Sequence, residues 1–321
     1  MTVSIVIPAY NAEQVLDRSA QSALRQSLAT VEVVIVDDGS TDSTPAIAQR
    51  LADADSRVTV VSQENRGLAE ARRSGVAAAR GEWILFLDAD DELLPDAAQR
   101  LLSRSIDRNL DLCMGCQLKE EAPGVLRRQT HAITGELAPD EFRRGVLTLG
   151  TYMMANNGLF TRRDVWHDDV FPPRDTVFPS EDLLVNVALS AHITRAGVYN
   201  DIDVLNYYLN ASSLTATGRL YAQATWERYF VYLRQLLRRI GHLDSLEPRV
   251  REFEIDVAAF LMNIDNTESP WLHQLQRYPS TGLRTKYRLL RRLLRFPRAA
   301  RRLLRAYQRL KALTTRRSRP Y

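Results

Sequence analysis

The chain has 321 residues, 45% of them hydrophobic, with 43 Lys and Arg against 39 Asp and Glu and a formal net charge of +4. Two cysteines and the lack of a signal-like leader exclude a disulfide framework and fit a reducing cytosol. Its apolar runs are too short to cross a bilayer and it has no internal repeat, so the expectation is one core-bearing domain followed by an extension.

Val3 to Pro8 reads as a first strand, and apolar spacing from about Glu13 to Leu28 predicts a helix. A second strand, Val31 to Val36, runs into Asp37-Asp38-Gly39-Ser40-Thr41-Asp42. Ser43-Thr44-Pro45 opens the next helix, with Pro45 acceptable in its first turn. Arg57 to Ser62 is a third strand, Leu68 to Ala79 a third helix, and Trp83 to Leu87 a fourth strand. Such alternation predicts a mainly parallel sheet flanked by helices, with ligands bound beyond the carboxyl ends of its strands. Tyr10, Asp38 and Asp88 to Asp91 all lie just past strand ends, so they should converge.

The fourth strand ends in Asp88-Ala89-Asp90-Asp91. Clustered carboxylates repel one another unless a cation neutralises them, and oxygen ligands suit Mg²⁺ or Mn²⁺. The competing reading is a polar turn capping a helix near Leu93-Leu94-Pro95, with Asp91 as the N-cap.

Four motifs in order carry a resemblance: Ser4-Ile5-Val6-Ile7-Pro8-Ala9-Tyr10-Asn11; Val36-Asp37-Asp38-Gly39-Ser40-Thr41-Asp42; Asn65-Arg66-Gly67 with Ala71-Arg72; and Gly81-Glu82 with Phe86-Leu87-Asp88-Ala89-Asp90-Asp91. Over about the first hundred residues the chain resembles the family 2 glycosyltransferases of GT-A fold. The resemblance implies an α/β catalytic domain over residues 1–218 and a donor site built from Pro8, Tyr10, Asn11, Asp38, Arg72, Asp88 and Ala89. In it, Tyr10 stacks on the base and Asp38 accepts a base N–H, which suits an imide such as uracil. Asp37 keeps the turn. Arg72 faces the nucleotide or its diphosphate; a solvated helix-face arginine is the alternative. Many members follow this Arg with Asn, where this chain has Arg73. Asp90 is the implied direct ligand of Mn²⁺ or Mg²⁺, with Asp88 beside it. Such an ion stabilises charge developing on the leaving diphosphate.

Pro179-Ser180-Glu181-Asp182 feeds an amphipathic helix. By resemblance Asp182 is the general base and Glu181 its neighbour, and a single displacement inverts the anomeric centre. The competing reading is a capped helix start, with Ser180 as N-cap. Leu110 to Leu118 predicts a strand holding Cys113 and Cys116 as buried thiols rather than a zinc or redox pair. Glu120 to Glu136 reads as a loop or hairpin. Asn156 and Asn157 either line the site or form a turn, and His167 beside Asp168 and Asp169 reads as surface. The late segment Tyr207 to Thr215 lacks the histidine that some members offer a metal, so the third metal ligand stays open.

Residues 219–321 form the extension, with amphipathic helices over Leu220 to Ile240 and Pro248 to Ile264. From Arg277 to Tyr321 there are sixteen Lys and Arg and no acid, a charge of +16 against −12 for the rest. Leu289, Leu290, Leu293, Leu294, Leu303, Leu304, Tyr307 and Leu310 recur at helical spacing, with Pro297 as a break. A basic amphipathic segment over 277–321 suits an anionic membrane surface; packing on the acidic body or an oligomer contact is the alternative. Nucleic acid is disfavoured, because no recognition module accompanies the charge.

The reading is thus a metal-dependent inverting transferase. It takes a sugar from a nucleotide-diphospho-sugar, most simply UDP-linked, to a hydroxyl acceptor in surface polysaccharide or glycoconjugate assembly at the cytosolic membrane face. A silent sugar-nucleotide-binding scaffold and a nucleotidyltransferase are the alternatives; the latter lacks a Gly-rich loop at Pro8-Ala9-Tyr10-Asn11. A nicotinamide-binding domain is disfavoured, since no GxGxxG follows a strand.

Overall fold

A computed structural model describes residues 1–148, 156–174, 176, 178–208, 223–264, 283, 284 and 287. The chain divides into two compact units, Met1–Leu220 and Tyr221–Tyr321.

The first unit is α/β. In its first half β1 (Val3–Ala9), α1 (Leu16–Leu24), β2 (Val31–Asp38), α2 (Thr44–Ala54), β3 (Val58–Gln63), α3 (Leu68–Ala78) and β4 (Trp83–Phe86) alternate. After these come β5 (Glu92–Leu93), α4 (Ala97–Asp107), β6 (Leu112–Ala122), β7 (Val125–Gln129), β8 (Gly135–Leu137), α5 (Pro139–Val146), β9 (Phe160–Arg162), α6 (Glu181–Leu189) and β10 (Ala196–Tyr207).

One mixed sheet runs β3-β2-β1-β4-β9-β6-β10-β5, with β7 on β6 and β8 on β10. β1 pairs in parallel with β2 and β4, and β2 with β3, so their carboxyl ends share one edge. Every residue of β1 is buried, as expected of a strand covered on both faces. The parallel expectation describes this half. Beyond it, the three-residue β9 runs antiparallel to both β4 and β6, too short a signal to be read in the sequence.

Two boundaries differ from expectation for a physical reason. The first helix starts at Leu16 rather than near Glu13, because side chains of the β2–α2 loop occupy the backbone before it. Ser40 Oγ accepts the Asn11 N–H at 3.0 Å, Thr44 Oγ1 that of Ala12 at 2.7 Å, and Asp42 that of Glu13 at 3.2 Å. The helix expected near Leu93 begins only at Ala97, after β5 has paired with β10. Asp91 therefore caps no helix.

α3 lies close on the sheet because of Gly75. A Cβ there would stand 2.3 Å from Val6 Cγ1 and 3.2 Å from Val36 Cγ2, so only glycine permits this approach. Cys113 and Cys116 are buried free thiols on β6, and burial pushes the Cys113 thiol up to about 12. Residues 120–136 cover the end of β6, its turn into β7, β7 itself and the start of β8.

The second unit holds α7 (Gln223–Arg239) and α8 (Leu243–Ile264). Pro248 lies inside α8 rather than at its start. Leu283 and Tyr287 are buried within this unit, and the Arg284 Nε donates to Glu252 at 2.8 Å. The rest of the basic segment 277–321, with its leucine repeat and Pro297, lies outside the described residues, as do Met153 to Ala155 and residues 209–222. No helix among the described residues is long and apolar enough to cross a membrane.

Candidate active site

The site lies where β1, β2 and β4 end. Tyr10 follows β1 with half its surface exposed (52%), free to present a ring face. Pro8 and Ala89 are buried. Asn11, at φ +48°, turns the chain, and its Oδ1 accepts the Thr41 N–H at 2.9 Å.

At the end of β2, Asp37 accepts the Ser40 N–H at 3.1 Å and holds the turn, as the sequence suggests. Asp38 is buried and accepts three bonds: Gln63 Nε2 at 2.7 Å, the Arg66 N–H at 2.9 Å and the Gly67 N–H at 2.9 Å. Gly67 stands at φ +88°, which lets its N–H turn to this carboxylate just before α3 begins. Two of the three bonds fall on Oδ1, so Oδ2 keeps a lone pair for a further donor.

Arg72 is the centre of the arrangement. Its side chain is 2% exposed, which excludes the solvated helix-face reading. Nη2 donates to Asp88 at 2.9 Å, Nη1 donates to Asp182, and the guanidinium lies over the Phe86 ring at 5.6 Å. Burial disfavours its charge, but Asp182, Asp88 and Glu181 together hold its pKa above the ordinary arginine value. Asp88 and Asp182, separated by most of the domain in sequence, therefore share one cation.

Asp88 and Asp182 remain partly open, at 28% and 21% exposure. Asp91 is fully buried: its carboxylate accepts the Tyr208 N–H at 2.8 Å and a bond from Asn157 Nδ2. Burial first, then the charges of Asp88 and Asp90, push Asp91 up to about 8. Glu181 and Asp182 occupy the first turn of α6, where the helix dipole favours anions. Ser180 adopts a left-handed conformation and makes no side-chain capping bond, so the capping-serine reading fails. Burial, then the Asp182 charge, push Glu181 up to about 7, with Arg72 opposing. Burial likewise raises Asp182, against Arg72 and a bond from the Asn156 backbone.

The sequence reading missed several supports. Asn157 Oδ1 accepts the Asp88 N–H at 3.0 Å, while its backbone oxygen accepts Gln117 Nε2 at 2.8 Å. Arg18, a helix-face arginine with no local signal, donates to the Asp90 carbonyl at 2.5 Å and pairs with Glu92 at 3.4 Å. Arg73 points away from Arg72: it pairs with Glu70 and Asp168, donates to the Pro172 carbonyl at 2.7 Å and lies over the Phe171 ring. Its departure from the Asn of the resemblance thus anchors the 168–172 segment. The His167 ring lies 4.4 Å from that of His192, tilted by 34°, and His192 pairs with Asp169 at 3.0 Å. No group of three or more His, Cys, Asp or Glu among the described residues could by itself hold a metal ion.

The family model for glycosyl transferase family 2 matches residues 4–171. The chain belongs to this family. It is 40% identical over 114 residues to an uncharacterized glycosyltransferase, EpsJ, of Bacillus subtilis, a match spanning 36% of this chain and 33% of that protein. A second relative, the uncharacterized glycosyltransferase YibD of Escherichia coli, is 26% identical over 264 residues, 74% of this chain and 71% of YibD. The chain matches a crystal structure of S. aureus TarS in complex with UDP-GlcNAc at a TM-score of 0.71 and 20% identity, covering 94% of this chain and 88% of the other. The architecture is accordingly the GT-A glycosyltransferase fold, and the protein is a family 2 glycosyltransferase.

Proposed function

We propose that the chain transfers a sugar from a UDP-sugar to a hydroxyl acceptor with inversion, using a divalent ion, in surface polysaccharide or glycoconjugate assembly. The observation that carries this reading is that Arg72 brings Asp88, from the donor motif, and Asp182, from α6, to the two ends of one guanidinium. A base and a donor motif so placed suit direct attack by an acceptor hydroxyl. In this role Asp182 takes the proton of the hydroxyl as it attacks, and Glu181 tunes it through its charge. Tyr10 offers its exposed ring to the base, and the remaining lone pair of Asp38 suits an imide N–H such as that of uracil. The TarS structure, which carries UDP-GlcNAc, supports a uridine donor.

The residues fit Mg²⁺ or Mn²⁺. Asp88 and Asp90 are hard oxygen donors, and their charges add to burial in pushing the Asp91 carboxyl up. Asp90 and Asp88 would hold the ion, with diphosphate oxygens and water completing its shell. When bound, it supplies Lewis-acid stabilisation of the leaving diphosphate.

The test is a panel of sugar nucleotides assayed for Mn²⁺-dependent turnover. The expected result is one preferred UDP-sugar, loss of turnover in EDTA, and loss of turnover but not of UDP binding in Asp182→Asn. An unchanged turnover number in that variant refutes the base assignment.

For the basic segment 277–321 we propose an anionic membrane surface, where each Lys or Arg near the surface contributes about 1 kcal/mol. Since Tyr287 is buried in the second unit, truncation after Arg288 is the informative comparison. Full-length protein should float with anionic liposomes and the truncated form should not; equal flotation refutes the proposal.

A further inference from the structure

The geometry points to Arg72 as a positioning residue that holds the base and the donor motif in register, acting through Asp182 and Asp88 rather than on the diphosphate. This inference rests on the roles proposed above for those two carboxylates. As a sequence feature, an arginine at this place suggests a phosphate contact. Its surroundings give it another task.

Both terminal nitrogens of Arg72 are already engaged, Nη2 with Asp88 at 2.9 Å and Nη1 with Asp182, and the side chain is 2% exposed. Nε is buried and makes no hydrogen bond. To meet a phosphate, the guanidinium would have to leave two carboxylates and climb out of the protein. The partners lie 16 and 110 residues away in sequence, on the β4 end and the first turn of α6. A second link joins the same two points. Asn157 Oδ1 accepts the Asp88 N–H at 3.0 Å, and the backbone of the neighbouring Asn156 favours the charged form of Asp182. The Arg72 fork, supported by this segment, fixes a distance. Here that distance separates the proposed base from the proposed donor carboxylate. Arginine offers a rigid planar fork whose ends meet two carboxylates at a fixed separation; lysine, a compact ammonium on a flexible stem, can meet both but fixes no distance between them.

The experiment compares wild type with Arg72→Met and Arg72→Lys. It uses hydrolysis of the UDP-sugar that wild type turns over fastest, and calorimetry of UDP with Mn²⁺. Misplacing a reacting group by about 1 Å costs about a hundredfold in rate, so kcat should fall about a hundredfold in Arg72→Met and about tenfold in Arg72→Lys. KM and UDP affinity should change by less than about tenfold, and by less than kcat does in Arg72→Met, since the fork reaches the donor only through Asp88. Melting curves establish that each variant is folded; if Arg72→Met is not, Arg72→Lys carries the same split. A tenfold or greater loss of UDP affinity with kcat retained overturns the inference in favour of a diphosphate contact. Unchanged kcat in both variants, or a lysine variant no faster than a folded methionine variant, overturns it too. A wild type that binds no UDP overturns the donor reading itself, and this inference with it, and is read without the variants.

Discussion

Glu181→Gln isolates the electrostatics of the carboxyl pair on α6. Burial, then the Asp182 charge, lift Glu181 from 4.5 to about 7, while Arg72 pulls the other way. A carboxyl raised on folding keeps a proton that the unfolded chain has already released. Stability is therefore present below about pH 4.5, declines as pH rises towards 7, and is level above. A rise from 4.5 to about 7 corresponds to about 3 kcal/mol, and partial solvent access at the site edge reduces the expectation to about 2 kcal/mol. Glutamine keeps the shape and removes the ionisation, so the variant should lose about 2 kcal/mol less than wild type between pH 5 and pH 8. Urea unfolding in EDTA at the two pH values measures this directly. Parallel stability losses in the two proteins would refute the reasoning.

The remaining predictions are simpler. Asp90→Ala should weaken UDP binding in Mn²⁺ by at least about a hundredfold in calorimetry, with the fold kept; wild-type affinity would sink the metal assignment. Gly75→Ala places a methyl 2.3 Å from Val6 Cγ1 on a helix that cannot retreat without moving Arg72. A 2.3 Å approach belongs at the upper end of overpacking, about 2–3 kcal/mol, and helix propensity returns about 1, so a net loss of about 1–2 kcal/mol should lower the melting temperature by about 2–8 °C. An unchanged or higher value would show that α3 has room.

What the sequence could convey depends on whether the signal is local. Val31 to Val36 and Trp83 to Leu87 are apolar runs bounded by acids, so strand and strand end coincide in the sequence itself. The Asp-Ala-Asp-Asp cluster and Glu181-Asp182 are equally local, and each lies in the domain containing the site. By contrast, the partners of Arg72 cannot be found by spacing, because a helix-face arginine looks the same whether it meets water or two distant acids. Arg18 is hidden for the same reason, and Asn157 because an Asn-Gly pair reads first as a turn. The shortened first helix failed differently. Its apolar spacing is real, but Ser40, Asp42 and Thr44 compete for its first N–H groups, and their advantage exists only once β1 and β2 pair.

One consequence of the site's charge reaches beyond any single residue. Asp88, Asp90 and Asp91 stand together past β4, Glu181 and Asp182 open α6, and Arg72 is the buried cation shared between the groups. Burial first, then the charges of neighbouring acids, act on these carboxyls. Asp91 is pushed to about 8 and Glu181 to about 7, and Asp182 is raised as well, with Arg72 opposing the last two. On the proposed reading, a divalent ion held by Asp90 and Asp88 would lessen the repulsion among these acids. Arg72 is buried and already engaged by Asp88 and Asp182, so on that reading it sets the distance between them while the ion supplies positive charge to the diphosphate.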